Sequence, residues 1–303
     1  MLSIQPALGD TDLPTEPGPP ARPQSWPACD ADVRAWVDAT VDALRRHLAR
    51  ELTGIYLHGS LATGAYRRPK SDVDLIVIVR EHPDDDRLRA LAGELAALHE
   101  RRPSTGELEL RIVRDADVRP FASMAPGFLA FSPGRGDWIG RNEVPQPGLP
   151  NLELASVAAA ARERGIALHG PPPREGIAPV PWAAYVASVM DDFAWIVEGE
   201  HVLVTPFYAV LNLCRTLAML TEGEGSLLVD KEEGARWALA HLPPEHHPVI
   251  SRALAAYVSS DEVTAEQRRT AGLRWDRAPL LAFRDFAAAE AARLGFSSYL
   301  NQG

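Results

Sequence analysis

The stretch 57-LHGSLATGAYRRPKSDVDLIVIV-79 decides the fold, because it joins a Gly-Ser pair to two aspartates at the start of an apolar run. Asp72 and Asp74 are two positions apart, and side chains at such a spacing share one face of a strand. A carboxylate buried beside such a run costs several kcal/mol unless a donor or a cation pairs with it. The pair therefore predicts either a bound cation or an exit to solvent.

Length, composition and charge limit the class of protein. The chain has 303 residues, 46% of them apolar and 24% charged, as in ordinary globular proteins. Its net charge is -10, which argues against a nucleic-acid partner and favours a cationic small molecule. The chain shows no apolar stretch long enough for a transmembrane helix and no secretory signal. Its two cysteines are too few for a framework of disulfide bonds. We expect a cytoplasmic protein that acts as a monomer and does not bind a membrane.

Periodicity divides the chain into three parts. The segment 1–27 is rich in proline, and we expect a disordered leader. The segment 28–150 predicts an α/β domain, in which helical patterns alternate with the strand patterns TGIYLHG, DVDLIVIVR and ELELRIVRD. The segment 151–303 contains only helical patterns, each ended by Gly, Pro or polar residues, and predicts a helical bundle.

The Gly-Ser pair and the aspartates suit a metal–nucleotide site. Carboxylate oxygens are ligands that Mg²⁺ prefers, and phosphate oxygens commonly complete its shell. Gly59 lets the backbone approach a phosphate, and Ser60 offers a hydroxyl and an amide at the start of a helical turn. The alternative is that Asp-x-Asp only marks a solvated strand end.

These segments resemble a known family. The stretch 57–79 is similar to the Gly-Ser…Asp-x-Asp signature of the nucleotidyltransferase superfamily, and specifically of the aminoglycoside (3'')(9) adenylyltransferases, which modify streptomycin and spectinomycin. ELELRIV, GDWIGRNE, LELASVAAAARERGIALHGPP, VLNLCRTL, VDKEEGARWAL and HPVISRALAAY resemble further family segments in the right order, over about residues 30–260. The resemblance implies an α/β (α+β) nucleotidyltransferase domain with a mixed sheet, followed by an all-α helical bundle that completes the nucleotide and substrate sites.

The resemblance also implies roles for individual residues. The catalytic base falls on Glu109, and the Mg²⁺ ligands fall on Asp72 and Asp74. The implied contacts to ATP are Gly59, Ser60, Ser71, Arg215, Lys231 and Tyr257. The implied contacts to the acceptor are Trp138, Glu153, His201 and Thr205.

A purely structural role is also open for most of these residues. Glu107 shares a strand face with Glu109 and is a rival base. Arg215 and Lys231 could be helix-surface cations. The remaining structural roles are an apolar anchor for Trp138, helix packing for Tyr257, a favourable helix dipole for Glu153 and simple solvation for His201.

The region before Arg215 departs from the family pattern. The position where the family has an ammonium-binding acid holds Thr205, with His201 four residues earlier. Five nearby residues could substitute, but their spacing does not match: Asp191, Asp192, Trp195, Glu198 and Glu200. The sequence therefore supports nucleotide chemistry more strongly than it supports the identity of the acceptor.

Three functions remain open at the level of sequence. The first is an ATP- and Mg²⁺-dependent O-adenylyltransferase that acts on an aminoglycoside or aminocyclitol and confers antibiotic resistance. The second is a nucleotidyltransferase with another hydroxylated acceptor, either a metabolite or a macromolecule. The third is a nucleotide-binding regulator without turnover, against which the intact acidic residues argue.

Overall fold

The computed structural model describes residues 13–81, 83–122, 129–131, 152–226 and 230–300. Contacts between Cα atoms divide the chain into two compact units. One comprises residues 23–188, and the other comprises residues 1–22 together with 189–303. Helix α7 (Trp182–Val197) contains the point of division.

The unit 23–188 is an α/β structure. Its helices are α1 (Ala31–Leu48), α2 (Gly59–Thr63), α3 (Asp85–His99), α4 (Asp115–Val118), α5 (Leu152–Arg164) and α6 (Pro173–Gly176). Its strands are β1 (Leu52–His58), β2 (Val73–Val79), β3 (Leu108–Arg114), β4 (Leu129–Phe131) and β5 (Ile166–His169).

These strands form one mixed sheet in the order β4-β3-β2-β1-β5. Strands β2 and β3 are parallel, and the other neighbouring pairs are antiparallel. The parallel connection runs through α3, as a crossover between parallel strands requires. The mixed sheet that the sequence predicted is confirmed.

Alternation along the strands gives the sheet two apolar faces. One face, with Ile55, Leu75 and Leu110, packs in a core with α1 and α3. The opposite face, with Tyr56 and Ile76, packs with α5. Strand β2 is the central strand of the sheet, and both of its faces are covered. This position explains its continuous Leu-Ile-Val run.

The second unit is helical in its described residues. Beyond the end of α7 it contains α8 (Pro206–Glu222), α9 (Lys231–His241), α10 (His247–Val258), α11 (Arg277–Ala291) and α12 (Ser297–Leu300). Helix α9 begins with a capping box, in which Asp230 accepts from the amide of Glu233 and the Glu233 carboxylate accepts from the amide of Asp230. The predicted helical second half is confirmed.

The predicted disordered leader is wrong for residues 13–27, while residues 1–12 lie outside the described residues. In the helical unit, Ala21 donates to the Val258 carbonyl at 2.7 Å, and Ser260 donates to the Pro19 carbonyl at 2.7 Å. In the α/β unit, Gln24 pairs with Tyr66, and Trp26 is buried. Prolines exclude a helix, but they leave carbonyl groups that pair with distant segments.

The boundary predicted near residue 150 also differs from the observed division after Ser188. Helix α5 covers the sheet, and β5 pairs with β1 at the edge of the sheet. The sequence pattern places Ile166–His169 in a helical region, and the structure corrects this to a strand, because four residues carry too little periodicity to reveal one.

Candidate active site

Three polar side chains form one row across the sheet. His58 of β1 is the register partner of Asp74 in β2, and Asp74 is the register partner of Glu109 in β3. Register partners on neighbouring strands project from the same face. The sheet therefore brings a predicted metal ligand and the predicted base side by side.

Asp72 lies one residue before β2, on the same alternation as Asp74. Its carboxylate accepts a hydrogen bond from the backbone amide of Glu107 at 2.7 Å. Glu107 lies just before β3 and thus beside Asp72, whereas Glu109 lies beside Asp74. Of the two rival bases, Glu109 is the one that lies in the row with His58 and Asp74.

Gly59 turns the chain at the end of β1. Its φ of +65° lies in the left-handed region, which glycine adopts without strain. A Cβ atom at this position would clash with the Asp74 carboxylate, whose carbon would be 2.8 Å away. Only glycine therefore allows the Asp74 carboxylate to lie against the backbone here, and the partly exposed Ser60 follows in α2.

The loop before Asp72 is fixed by its own side chains. The Ser71 hydroxyl accepts from the Arg67 amide at 2.9 Å, and Ser71 is buried. Arg68 donates to Asp30 at 3.0 Å and pairs with Asp32, whose pKa is lowered chiefly by that hydrogen bond. The Ser71 hydroxyl, predicted to contact ATP, thus also holds the turn that carries Asp72.

Burial determines the charge of His58. Its side chain is 9% exposed, and desolvation, aided by the nearby positive charge of Arg111, lowers its pKa to about 3. His58 is therefore neutral near pH 7 and adds no cation to the row. His58 belongs to no motif that the sequence shows, and its place directly before Gly59 is the one local signal for it.

Arg111 connects the row to helix α5. Its side chain is 5% exposed, and its guanidinium hydrogen-bonds to the Glu153 carboxylate and lies 4.0 Å from Glu109 Oε2. Glu153, a predicted acceptor contact, thus has an arginine partner 42 positions earlier in the sequence. Strand alternation puts Arg111 on the same face as Glu109, but nothing in the sequence indicates the ion pair with Glu153.

In the helical unit, Lys231 and Tyr257 lie together. The Lys231 ammonium is 4.9 Å from the ring centroid of Tyr208 and 5.5 Å from that of Tyr257. Tyr208 also donates to Asp192 at 3.4 Å, and Asn212 donates to the same carboxylate at 3.0 Å. The sequence gives no sign of Tyr208 and Asn212, because their contacts depend on the packing of separate helices.

Arg215 lies where α8 packs tightly against Gly234 of α9. A Cβ atom at Gly234 would be 2.6 Å from the Arg215 Cα atom, so glycine permits the two helices to meet there. Arg215 itself is partly exposed. This packing brings Arg215 and Lys231, which are 16 positions apart, onto adjoining helices.

In the region before Arg215, which departs from the family pattern, the structure shows what Glu200, His201 and Thr205 contact. Glu200 forms an ion pair with Arg277, and His201 stacks on Trp195 with ring centroids 4.6 Å apart. His201 also bonds to the Trp195 carbonyl at 2.8 Å. Thr205 is the residue before α8, and its carbonyl accepts from Ala209. Trp138 lies outside the described residues.

Asp72 and Asp74 are the two carboxylates that would hold a divalent cation. Both are carboxylates at alternate positions along the chain, and the Asp74 carboxylate lies against the backbone of Gly59. The described residues hold no group of three or more His, Cys, Asp or Glu side chains placed to bind a metal. Mg²⁺ commonly takes one or two carboxylates and completes its shell with water and phosphate oxygens, so this donor set suits it with a nucleotide.

Two family models match the chain. "Polymerase beta, Nucleotidyltransferase" matches residues 42–117, which contain the row described above. "Aminoglycoside adenylyltransferase, C-terminal domain" matches residues 177–274, which contain Arg215, Lys231 and Tyr257. Within the described residues, no helix has the length and apolar character needed to cross a membrane.

Individual relatives agree with these models. An aminoglycoside (3'') (9) adenylyltransferase of Escherichia coli is 29% identical over 249 residues, which cover 77% of this chain and 88% of the relative. A spectinomycin 9-adenylyltransferase of Staphylococcus aureus is 27% identical and covers 72% of this chain and 82% of the relative.

A solved structure has the same fold. It is the spectinomycin adenyltransferase AAD(9) from Enterococcus faecialis with ATP and spectinomycin, with a TM-score of 0.68 at 18% identity. The alignment covers 86% of this chain and 99% of that one. The recognition made from the sequence is confirmed: the chain resembles the aminoglycoside (3'')(9) adenylyltransferases, and its enzyme class is nucleotidyltransferase.

Proposed function

We propose that this protein is an ATP- and Mg²⁺-dependent O-adenylyltransferase that transfers AMP to a hydroxyl of an aminoglycoside or aminocyclitol antibiotic of the spectinomycin or streptomycin type. The observation that carries the proposal is the register of β2 and β3, which sets Asp74 beside Glu109. A metal-binding carboxylate next to a general base is what activation of a hydroxyl beside a triphosphate requires.

The proposed reaction is an in-line displacement at the α-phosphorus of ATP. Glu109 accepts the proton of the acceptor hydroxyl as the oxygen forms its bond to phosphorus. The bond from that phosphorus to the bridging oxygen breaks, and pyrophosphate leaves with the electron pair. Asp72 and Asp74 would hold Mg²⁺, which supplies Lewis-acid stabilisation of the phosphate charge.

The helical unit supplies the remaining proposed contacts. We assign Arg215, Lys231 and Tyr257 to the nucleotide, because phosphate charge is stabilised by positioned cations. The two rings beside the Lys231 ammonium restrict its position without neutralising it. In the α/β unit, Gly59, Ser60 and Ser71 are assigned to the same ligand. Trp138, His201 and Thr205 are assigned to the acceptor.

The direct test incubates the protein with ATP, Mg²⁺ and a panel that includes spectinomycin and streptomycin. Pyrophosphate release and a drug mass increased by one adenylyl group are the expected results. Asp74→Asn should abolish both signals. Asp38→Asn, on the exposed face of α1, is the matched control and should retain them. Absence of product across the whole panel would refute the drug assignment.

A second acceptor class is favoured by a specific observation. Thr205 stands where the family has an ammonium-binding acid, and the nearby Glu200 is engaged by Arg277. The lack of a carboxylate at position 205, together with the pairing of Glu200, supports a nucleotidyltransferase that acts on another hydroxylated metabolite or on a macromolecule. Treatment of a cell extract with the enzyme and labelled ATP, followed by mass spectrometry, separates the two. A labelled product with none of the antibiotics modified would establish the second acceptor class.

We also propose that the protein acts as a monomer in the cytoplasm and binds no nucleic acid. Support comes from the net charge of -10 and from a cysteine content of two. Light scattering coupled to size-exclusion chromatography checks the monomer, which should have a mass near 33.0 kDa. A mass of twice that value at micromolar concentration would contradict it.

A further inference from the structure

Arg111 is a buried cation with two carboxylates near it. It lies on β3, two residues after Glu109, and its side chain is 5% exposed. The Nη2 atom hydrogen-bonds to Glu153 and lies 4.0 Å from Glu109 Oε2. One guanidinium therefore faces both the proposed base and the first turn of α5.

Arg111 also lies beside apolar residues. Its register partner on β2 is Ile76, which belongs to the core beneath α5 together with Leu154 and Ala158. A buried guanidinium in such surroundings needs a carboxylate partner, because an uncompensated charge there is strongly destabilising. Arg111 therefore needs a carboxylate partner, and its two carboxylate contacts given by the described residues, Glu153 and Glu109, are not equivalent.

The distances show which carboxylate holds it. The Glu153 contact is a hydrogen bond, whereas 4.0 Å to Glu109 exceeds hydrogen-bond distance. If Glu153 left Arg111 to bind an acceptor ammonium, the guanidinium would turn to Glu109. Arginine pairs with a carboxylate through two parallel bonds, and such a pair would occupy the oxygens that must receive the acceptor proton.

We propose that Glu153 is a positioning residue, which holds Arg111 away from the catalytic carboxylate Glu109 and does not itself bind the acceptor. The proposal rests on the proposed function, since it concerns the base of that reaction. It replaces the acceptor contact that the family resemblance implied for Glu153. The negative charge of Glu153 is then neutralised by Arg111 and is not available to an acceptor ammonium.

Kinetics of Glu153→Ala test the proposal. The variant should lower kcat by about 10-fold to 100-fold, with the acceptor KM within about twofold of wild type, because Arg111 then pairs with Glu109. The double variant Arg111→Met, Glu153→Ala should recover at least about tenfold in kcat, because the competing guanidinium is gone. Glu153→Asp should retain most of the activity.

Glu163→Ala is the matched control. It removes the same side chain from the last turn of α5, where Glu163 pairs with Arg162 at 3.0 Å and Arg174 at 2.7 Å. Its kinetics should equal those of wild type. An increased acceptor KM with unchanged kcat for Glu153→Ala, not rescued by Arg111→Met, would overturn the proposal and assign Glu153 to the acceptor.

A crystal structure of Glu153→Ala gives a readout independent of turnover. Arg111 Nη2 should move from 4.0 Å to about 3 Å from Glu109, which is hydrogen-bond distance. An unmoved guanidinium would contradict the proposal, even if the double variant does not fold. If wild-type protein adenylates no acceptor, the proposed function fails, and this structural measurement still decides whether Glu153 restrains Arg111.

Discussion

Replacing Gly59 by alanine tests whether the turn after β1 positions the Asp74 carboxylate. A residue with a Cβ atom in the left-handed region costs about 1–2 kcal/mol. At Gly59 the new Cβ would also clash with the Asp74 carboxylate, and overpacking of this kind costs about 1–3 kcal/mol. We therefore expect Gly59→Ala to lower the free energy of unfolding by about 2–5 kcal/mol. If the Asp74 carboxylate moves away from the new methyl group, the decrease is smaller, but the carboxylate is then displaced.

Gly64→Ala separates the two contributions. Gly64 ends α2 with φ of +86°, but its nearest neighbour, the Ser25 Cβ atom, would be 3.7 Å from an added Cβ. This control carries the backbone strain without the clash, so it should lose about 1–2 kcal/mol and keep its kcat.

The assays are urea unfolding and pyrophosphate release. For Gly59→Ala we expect kcat to fall about 100-fold or more, which corresponds to about 2.7 kcal/mol of lost transition-state stabilisation. The reasoning would be refuted if Gly59→Ala and Gly64→Ala showed equal kcat values, because the Asp74 carboxylate would then tolerate the added methyl group.

Three further predictions concern single side chains. Glu109→Gln should lower kcat about 10²–10⁴-fold while ATP still binds by calorimetry, and Glu107→Gln should stay near wild type; the reverse order would move the base to Glu107. Lys231→Met should raise the Kd of ATP about tenfold or more, and an unchanged Kd would exclude the phosphate contact. Burial lowers the pKa of His246, which lies 4.5 Å from the Phe286 ring, so its contribution to stability is full above about pH 6.5 and declines as pH falls. When the pH is lowered from 7 to 5, the free energy of unfolding measured in urea should therefore decrease less for His246→Phe than for wild type. Equal decreases would contradict this.

Local patterns explain why much of the fold was predictable. The alternation around Asp72 and Asp74 with the apolar run behind them, and the alternation around Glu109 in β3, are each encoded within about ten residues. The helical periods after α5 are equally local. These signals were sufficient to predict the mixed sheet, the helical second half and the carboxylates of the proposed site.

Pairings between distant segments were not predictable in the same way. The leader residues 13–27 contain no periodicity, yet they pair with Tyr66 in one unit and with Val258 in the other. Strand β5 is four residues long, and only its pairing with β1 reveals it. In both cases, the partners of the backbone hydrogen bonds lie more than 40 positions away.

The sequence by itself determined the candidate residues for the proposed chemistry: a glycine turn, two aspartates at a strand end and a glutamate on a later strand. The tertiary structure alone decided how they combine. Strand register placed Asp74 beside Glu109, and burial on the sheet joined Arg111 to Glu153. The physical reason is that periodicity fixes the face on which a side chain lies, whereas its charge partner depends on which distant segment covers that face.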